Sequence, residues 1–200
     1  MPKLVDHEAR RRDIAEAAAD LIAARGLDGA TSAALARAAG CTVGALPHYF
    51  QGKETILLAA LRAVNESLER RATARAARPG ADLCTLLEAA LPVDAPGRRD
   101  NRVWFAFAGR ALQSEELAIE YRRRYRELEA RAEALLDPAR LPESWTPTLA
   151  MQSLFAFIDG LALRALIDRR RWTGPGQRQL LRQQMELLGI ADSLIVGPHS

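Results

Sequence analysis

The chain has 200 residues, enough for one or two small domains that bury roughly 70% of their unfolded surface without a metal or disulfide. Its 28 Lys and Arg against 25 Asp and Glu leave a formal charge of +3, too mild to argue for nucleic acid by itself. Ala (38) and Leu (29) far outnumber Val (6) and Ile (8), and this balance of helix formers over strand formers excludes a sheet protein and disfavours alternating βαβ units.

The opening Met1-Pro2-Lys3-Leu4-Val5-Asp6-His7 has no apolar stretch, so no secretory leader is expected. Ile14, Ala17, Ala18, Leu21 and Ile22 recur at i, i+3, i+4, i+7 and i+8, which predicts a first helix stopping at Gly26. Arg10, Arg11 and Arg12 fall at its expected start, where the helix dipole disfavours cations; a phosphate partner and a plain solvated end both fit. Residues Ser32 to Gln51 read as two short helices and a turn. Leu35, Ala36, Ala39, Cys41, Leu46 and Tyr49 take inward positions, and Gly40 takes the turn. Thr31 or Ser32 caps the first of these helices and Thr42 the second. Outward on the second lie Thr42, Val43, Ala45, Pro47 and His48, short enough to enter a major groove. There Thr bonds base edges and apolar groups meet the thymine methyl. Tyr49 and Lys53 follow, with a hydroxyl and an ammonium suited to phosphate oxygens. A compact helical hairpin that never meets DNA fits the same pattern, and residues 1–53 carry seven Lys and Arg against six Asp and Glu, so local charge does not decide.

A long helix is predicted from Lys53 to Ala77, burying Leu57, Leu61, Val64 and Leu68, and a short one over Ala81–Leu91, burying Leu83, Leu86, Leu87 and Ala90. Val103–Ala108 is apolar around its circumference, which predicts a helix buried on all sides. Glu115–Leu136 is amphipathic: Leu117, Tyr121, Tyr125, Leu128, Ala132 and Leu135 form a stripe. Its charge run from Arg122 to Arg131 reads as a solvated face, with Glu127 and Arg131 at i,i+4. Thr148–Arg169 carries two apolar faces, and Pro175–Leu188 is the last helix. A helix needing two covers packs its own core on one side and a second copy of the chain on the other. The expected dimer residues are Phe157, Gly160, Leu163, Ile167, Leu180, Leu181, Met185 and Leu188, with Gly160 permitting close helix approach; one thick monomer core is the alternative. No apolar run approaches the ~20 residues of a membrane span, since Asp159 and Arg164 interrupt Leu154–Ile167, so a soluble cytoplasmic protein is expected. Val196–Ser200 is expected to fray.

Enzyme chemistry finds no foothold. His7, His48 and His199 are too scattered for a metal cluster, and no metal or cofactor is expected. Cys41 and Cys84 cannot make a disulfide framework and read as small, reduced core residues. There is no nucleophile elbow and no phosphate loop; Gly174-Pro175-Gly176 lacks a preceding strand and a third glycine and reads as a turn.

The stretch Thr31-Ser32-Ala33-Ala34-Leu35-Ala36-Arg37-Ala38-Ala39-Gly40-Cys41-Thr42-Val43-Gly44-Ala45-Leu46-Pro47-His48-Tyr49-Phe50-Gln51-Gly52-Lys53-Glu54 resembles the DNA-binding domain of the TetR family. The family pattern is a helix ending in Gly, a Thr-led second helix, then Gly-Val-Ser-x-Gly-x-Leu-Tyr-x-Tyr-Phe-x-x-Lys-Glu, and more than ten positions agree in register. Met1–Leu4 with Arg10–Arg12, Arg102–Phe107 and Phe157–Leu163 are similar to the BetI-type branch, repressors of betaine synthesis. Pro47 departs from the pattern, standing where most members have Tyr and removing a hydroxyl often used on the DNA backbone; Cys41 for Val and Thr42 for Ser are mild.

The resemblance implies an all-α homodimer. A three-helix DNA-binding domain would span residues 8–68, with its helix-turn-helix at about 31–50, and a ligand-binding and dimerisation domain would span 69–192. It implies DNA contacts from Thr31, Ser32, Arg37, Thr42, Val43, Gly44, Ala45, Pro47, His48, Tyr49 and Lys53. Two copies would read a palindromic operator whose half-sites lie about 34–36 Å apart, and a small-molecule inducer would release it. Trp104, Phe107, Arg110, Tyr121, Phe155 and Asp159 are the candidates for the inducer pocket, Phe157 beside them, and aromatic faces suit the choline-type ligand of that branch; plain core is the other reading of the aromatics. Arg110 and Asp159 sit on apolar helices and should pair with each other or with Arg164, or else counter a ligand's charge. The functional expectation is a ligand-responsive transcriptional repressor and not an enzyme; a helical interaction or ligand-carrier protein without DNA binding is the alternative.

Overall fold

The computed structural model describes residues 2–136, 138 and 141–190, the first four of these as backbone alone. The sequence-predicted fraying at Val196–Ser200, and His199, lie outside the described residues. The described residues form eight α-helices and no strand: α1 (Pro2–Arg25), α2 (Ser32–Ala38), α3 (Lys53–Ala76), α4 (Leu83–Leu87), α5 (Ala95–Ala111), α6 (Glu115–Glu133), α7 (Pro147–Ile167) and α8 (Gly174–Leu187). Short 3₁₀ segments follow α2 (Val43–His48) and α4 (Glu88–Ala90).

Local chemistry sets most of the starts. Thr31, Asp82, Asp94, Ser114, Thr146 and Thr173 stand at the amino ends of α2 and α4 through α8, each accepting a hydrogen bond from the amide three residues on. Pro96, Pro147 and Pro175 follow caps in first turns, where a missing N–H costs little. Gly174-Pro175-Gly176 is therefore the first turn of α8 rather than a free turn. α3 differs: its cap is Gly52, at φ +101°, with no side-chain cap.

Two apolar cores result. Ile14, Ala18 and Ile22 of α1 meet Leu35 and Ala36 of α2, Leu46 and Phe50, and Ile56, Leu57 and Leu61 of α3. Val103 and Phe107 of α5 and Leu117 of α6 close this same core, so the amino-terminal helices are joined to the rest through shared apolar packing. The second core gathers Leu83 and Leu87 of α4, Met151, Leu154 and Ile158 of α7, and Leu181 and Met185 of α8.

Several expectations change. α1 already begins at Pro2, so Arg10–Arg12 lie inside the helix and the dipole argument lapses. α5 is not buried all round: Val103 and Phe107 are buried, whereas Trp104, Phe105 and Ala106 stay half-buried, Trp104 at the edge of a cavity. Glu127 pairs with Arg123 and Arg124, while Arg131 reaches across to Glu69 on α3. α7 is long and apolar enough, by length and composition, to cross a membrane, yet it packs as a core helix. Cys84 is buried, which pushes its thiol up to about 11, and Cys41 is half-buried against the first core; neither forms a disulfide.

Candidate nucleic-acid interface and ligand cavity

The helix-turn-helix region is built locally. The Thr31 hydroxyl accepts from the Ala34 amide at 3.2 Å and starts α2. Gly40 takes φ +62°, a left-handed turn that would strain any side chain. The second element is a 3₁₀ segment rather than an α-helix, and Thr42 at its head makes no side-chain cap. Gly44 and Pro47 explain this: one is the weakest ordinary helix former, the other lacks the N–H that an α-turn needs. Leu46 alone points into the core. Thr42, Val43, Gly44, Pro47 and His48 are exposed along one edge, Ala45 and Tyr49 are half-buried, and Thr31, Ser32 and Arg37 are exposed on α2. Lys53 is half-buried in the first turn of α3, beside the uncapped Gly52.

Neither role expected for the arginine run fits Arg10 and Arg11. Arg10 Nη2 donates to the Ala39 carbonyl at 2.8 Å, at the carboxyl end of α2, where a cation meets the favourable end of the dipole. Arg11 Nη1 donates to the Tyr49 carbonyl at 2.5 Å and lies 4.7 Å over the Phe50 ring. The His7 ring lies tilted against that of Tyr49 at 5.0 Å. α1 thus clamps the ends of both elements of the motif, and only Arg12 of the three is exposed.

A cavity of about 50 Å³ lies among α3, α5, α6 and α7, lined by Val64, Asn65, Arg71, Asp100, Trp104, Tyr125, Phe155 and Asp159 among others. Trp104 meets Tyr121 in a tilted contact at 4.3 Å and stacks on Tyr125 at 6.0 Å, and Tyr125 meets Phe155 edge-on at 5.7 Å. The Tyr125 hydroxyl donates to Asp159 Oδ2 at 3.1 Å. Burial raises the Asp159 carboxyl to about 6, against the pull of that hydrogen bond, with Glu129 adding a smaller push. Burial and the Asp159 charge together hold the Tyr121 and Tyr125 phenols well above their usual range.

Of the expected pocket residues, Trp104, Phe155 and Asp159 line this cavity and Tyr121 backs it. Phe107 does not; it is buried in the first core. Arg110 is exposed in the last turn of α5 and makes no pair with Asp159. Arg164 is also exposed, 5.8 Å from the Trp172 ring, and five residues from Asp159 is about 140° around a helix. Tyr125, Asn65, Arg71 and Asp100 were missed. Tyr125 was legible as a stripe residue of α6, but its partner stands 34 positions away.

Asp100 anchors a charged cluster. It pairs with Arg71 of α3, which also donates to the Ala89 carbonyl at 2.9 Å. Its other oxygen takes Arg99 Nη1 at 3.1 Å, and Arg99 reaches Glu16 and Asp20 of α1, each at 2.5 Å. The cavity wall is therefore joined to α1 through three successive ion pairs.

α7 and α8 leave an apolar surface. Leu163, Ile167 (78% exposed) and Leu187 (82%) face outward, with Gly160 exposed and Phe157 and Leu180 half-buried. Among the described residues, no other helix comes within 4 Å of where a side chain on Gly160 would begin, so none of them uses its small size. Leu181, Met185 and Leu188 are not on this face. They are buried in the second core, because their i, i+4, i+7 row on α8 runs beside the outward row of Leu180 and Leu187.

Residues 14–60 match the family described as bacterial regulatory proteins, tetR family, and residues 79–189 match the BetI-type transcriptional repressor, C-terminal. The HTH-type transcriptional regulator PksA of Bacillus subtilis is 30% identical over 197 residues, covering 96% of each chain. Among solved structures, a transcriptional regulator from Rhodococcus sp. Rha1 superposes with a TM-score of 0.79 at 28% identity, over 94% of this chain and 99% of that one. One from Saccharomonospora viridis, in complex with choline, gives 0.72 at 27%, over 90% and 96%. The chain belongs to the TetR family of bacterial regulatory proteins, in its BetI-type branch, and is a DNA-binding regulator of transcription.

Proposed function

We propose that the chain is a cytoplasmic repressor that binds a palindromic operator as a homodimer and is released by a cationic inducer, residues 8–68 holding the DNA and 69–192 the ligand and the second subunit. One observation carries the DNA reading: the amino end of α3, alone among α2 to α8, has no side-chain cap, and it sits beside Lys53 at the end of the exposed edge Thr42–His48. Free amides at a helix amino end, next to an ammonium, are complementary to a phosphate. With that phosphate held, Thr42, Val43, Gly44, Ala45, Pro47 and His48 enter the major groove, while Thr31, Ser32, Arg37 and Tyr49 take flanking contacts. The clamp of Arg10 and Arg11 makes the pair a rigid unit borne by α1.

The inducer reading rests on Asp159, a half-buried carboxylate beside Trp104, Tyr125 and Phe155 with Tyr121 behind them. Ring faces and a carboxylate together favour a quaternary ammonium, which needs no hydrogen bond; the choline held by the Saccharomonospora viridis protein supports this. Occupation presses on α5, and the Asp100–Arg99–Glu16/Asp20 pairs carry the displacement to α1 and its clamped motif. The ligand must bind the arrangement that misfits the two half-sites more tightly than the one that fits. The second copy docks on the outward row of α7 and α8.

Footprinting on the DNA beside the chain's own gene tests this. Wild type should protect a two-fold symmetric site, and Tyr49→Phe and Lys53→Ala should weaken protection with the dimer intact. Wild type that protects nothing would overturn the DNA reading and leave an interaction or carrier protein.

A further inference from the structure

We infer that the inducer is an amphiphilic cation, with its ammonium head at Asp159 and an apolar tail in a second chamber. This rests on the cationic reading of the Asp159 cavity and supplies the other half of the ligand. The cavity at Asp159 holds only about 50 Å³, room for a compact head, whereas small-molecule sites run from roughly 300 to 1,000 Å³. Across the walls formed by Leu68, Ala90, Leu128 and Phe155, which both spaces share, lies a chamber of about 330 Å³ between α3, the α4 turn and α6. Ala72, Ala76, Leu86 and Leu135 are among its walls, and charge enters only at its edge, where Glu69 of α3 pairs with Arg131 of α6. A choline-sized ion leaves the apolar walls of that chamber, which opens to solvent, uncovered, and an alkyl group laid against them removes their apolar area from water. An alkyl chain leaving the ammonium past Phe155 fills it without any polar partner. The second chamber is of ligand-site size by itself but carries no charge at its centre, and the small cavity supplies the carboxylate; neither chemistry alone uses both.

The test measures binding of tetramethylammonium and of n-alkyltrimethylammonium ions from ethyl to octyl to the full-length protein, by calorimetry. Tetramethylammonium should bind in an Asp159-dependent manner. Each added methylene should lower Kd by up to about four-fold until the chamber is full, following ~0.8 kcal/mol per buried CH₂. Ala72→Phe, and separately Ala76→Phe, should flatten the series while leaving tetramethylammonium unchanged. An Asp159-dependent tetramethylammonium site with a flat series in wild type overturns the tail and spares the head. An unchanged slope in both phenylalanine variants likewise overturns the tail. Binding that grows with length but ignores Asp159→Asn overturns the head reading and this inference with it.

Discussion

Asp159 is the residue whose environment is least forgiving. Its carboxyl titrates near 6 in the folded chain against an ordinary 3.8, so it contributes most to stability when protonated, and that contribution is lost as pH rises through about 6. Asp159→Asn should therefore raise stability at pH 8 by up to about 3 kcal/mol and change nothing below about pH 4, measured by urea unfolding at both. A tetramethylammonium site that needs the carboxylate should weaken by up to about ten-fold per unit as pH falls below 6, and the Asn variant should lose this slope. On the DNA side, Lys53→Ala should weaken all duplexes alike, since phosphate contacts carry no sequence, whereas Thr42→Ala or His48→Ala should alter preference among duplexes by about 1–3 kcal/mol at one position. Selection from a randomised duplex pool separates these outcomes. At this scale the sequence was informative where partners are near in the chain: Thr31 and its amide, Gly40 in its turn, Leu46 inward. It was silent on Tyr125 with Asp159 and Arg71 with Asp100, pairs 34 and 29 positions apart that only the packing of whole helices brings together.

Among the elements, the 3₁₀ segment Val43–His48 shows what a motif leaves unstated. Register and family were legible in Thr31–Glu54, but Gly44 and Pro47 make the second element tighter than an α-helix, and at about three residues per turn it presents side chains in different columns. Replacing Pro47 with Tyr, the residue common in the family, should restore an α-turn and shift operator preference; an unchanged preference would show that the 3₁₀ geometry does not matter to reading. α8 teaches the complementary lesson. Two apolar rows lie side by side, and composition cannot say which is core. Leu181, Met185 and Leu188 turn inward, while Leu187, passed over in the sequence, is among the most exposed apolar residues. Leu163→Asp with Ile167→Asp should yield a folded monomer by light scattering, with operator binding lost, because a single reading element keeps only its half-site contacts. A variant that stays dimeric would move the subunit interface elsewhere.

For the molecule as a whole, the shared core of Val103, Phe107 and Leu117 and the Asp100–Arg99–Glu16/Asp20 pairs make the amino-terminal helices and the ligand-side helices mechanically continuous. Arg99→Ala should leave cation binding and operator binding within a few fold of wild type but sharply reduce the effect of one on the other, a loss of coupling energy of about 1–2 kcal/mol. Coupling between cation and operator is read directly by titrating the footprinted operator, by fluorescence anisotropy, with and without saturating tetramethylammonium or its octyl relative, at two salt concentrations. Binding should fall steeply with salt, by counterion release, and weaken at least ten-fold when the cation is present, with Arg99→Ala blunting that response. Operator affinity that is the same with and without saturating cation would contradict that coupling.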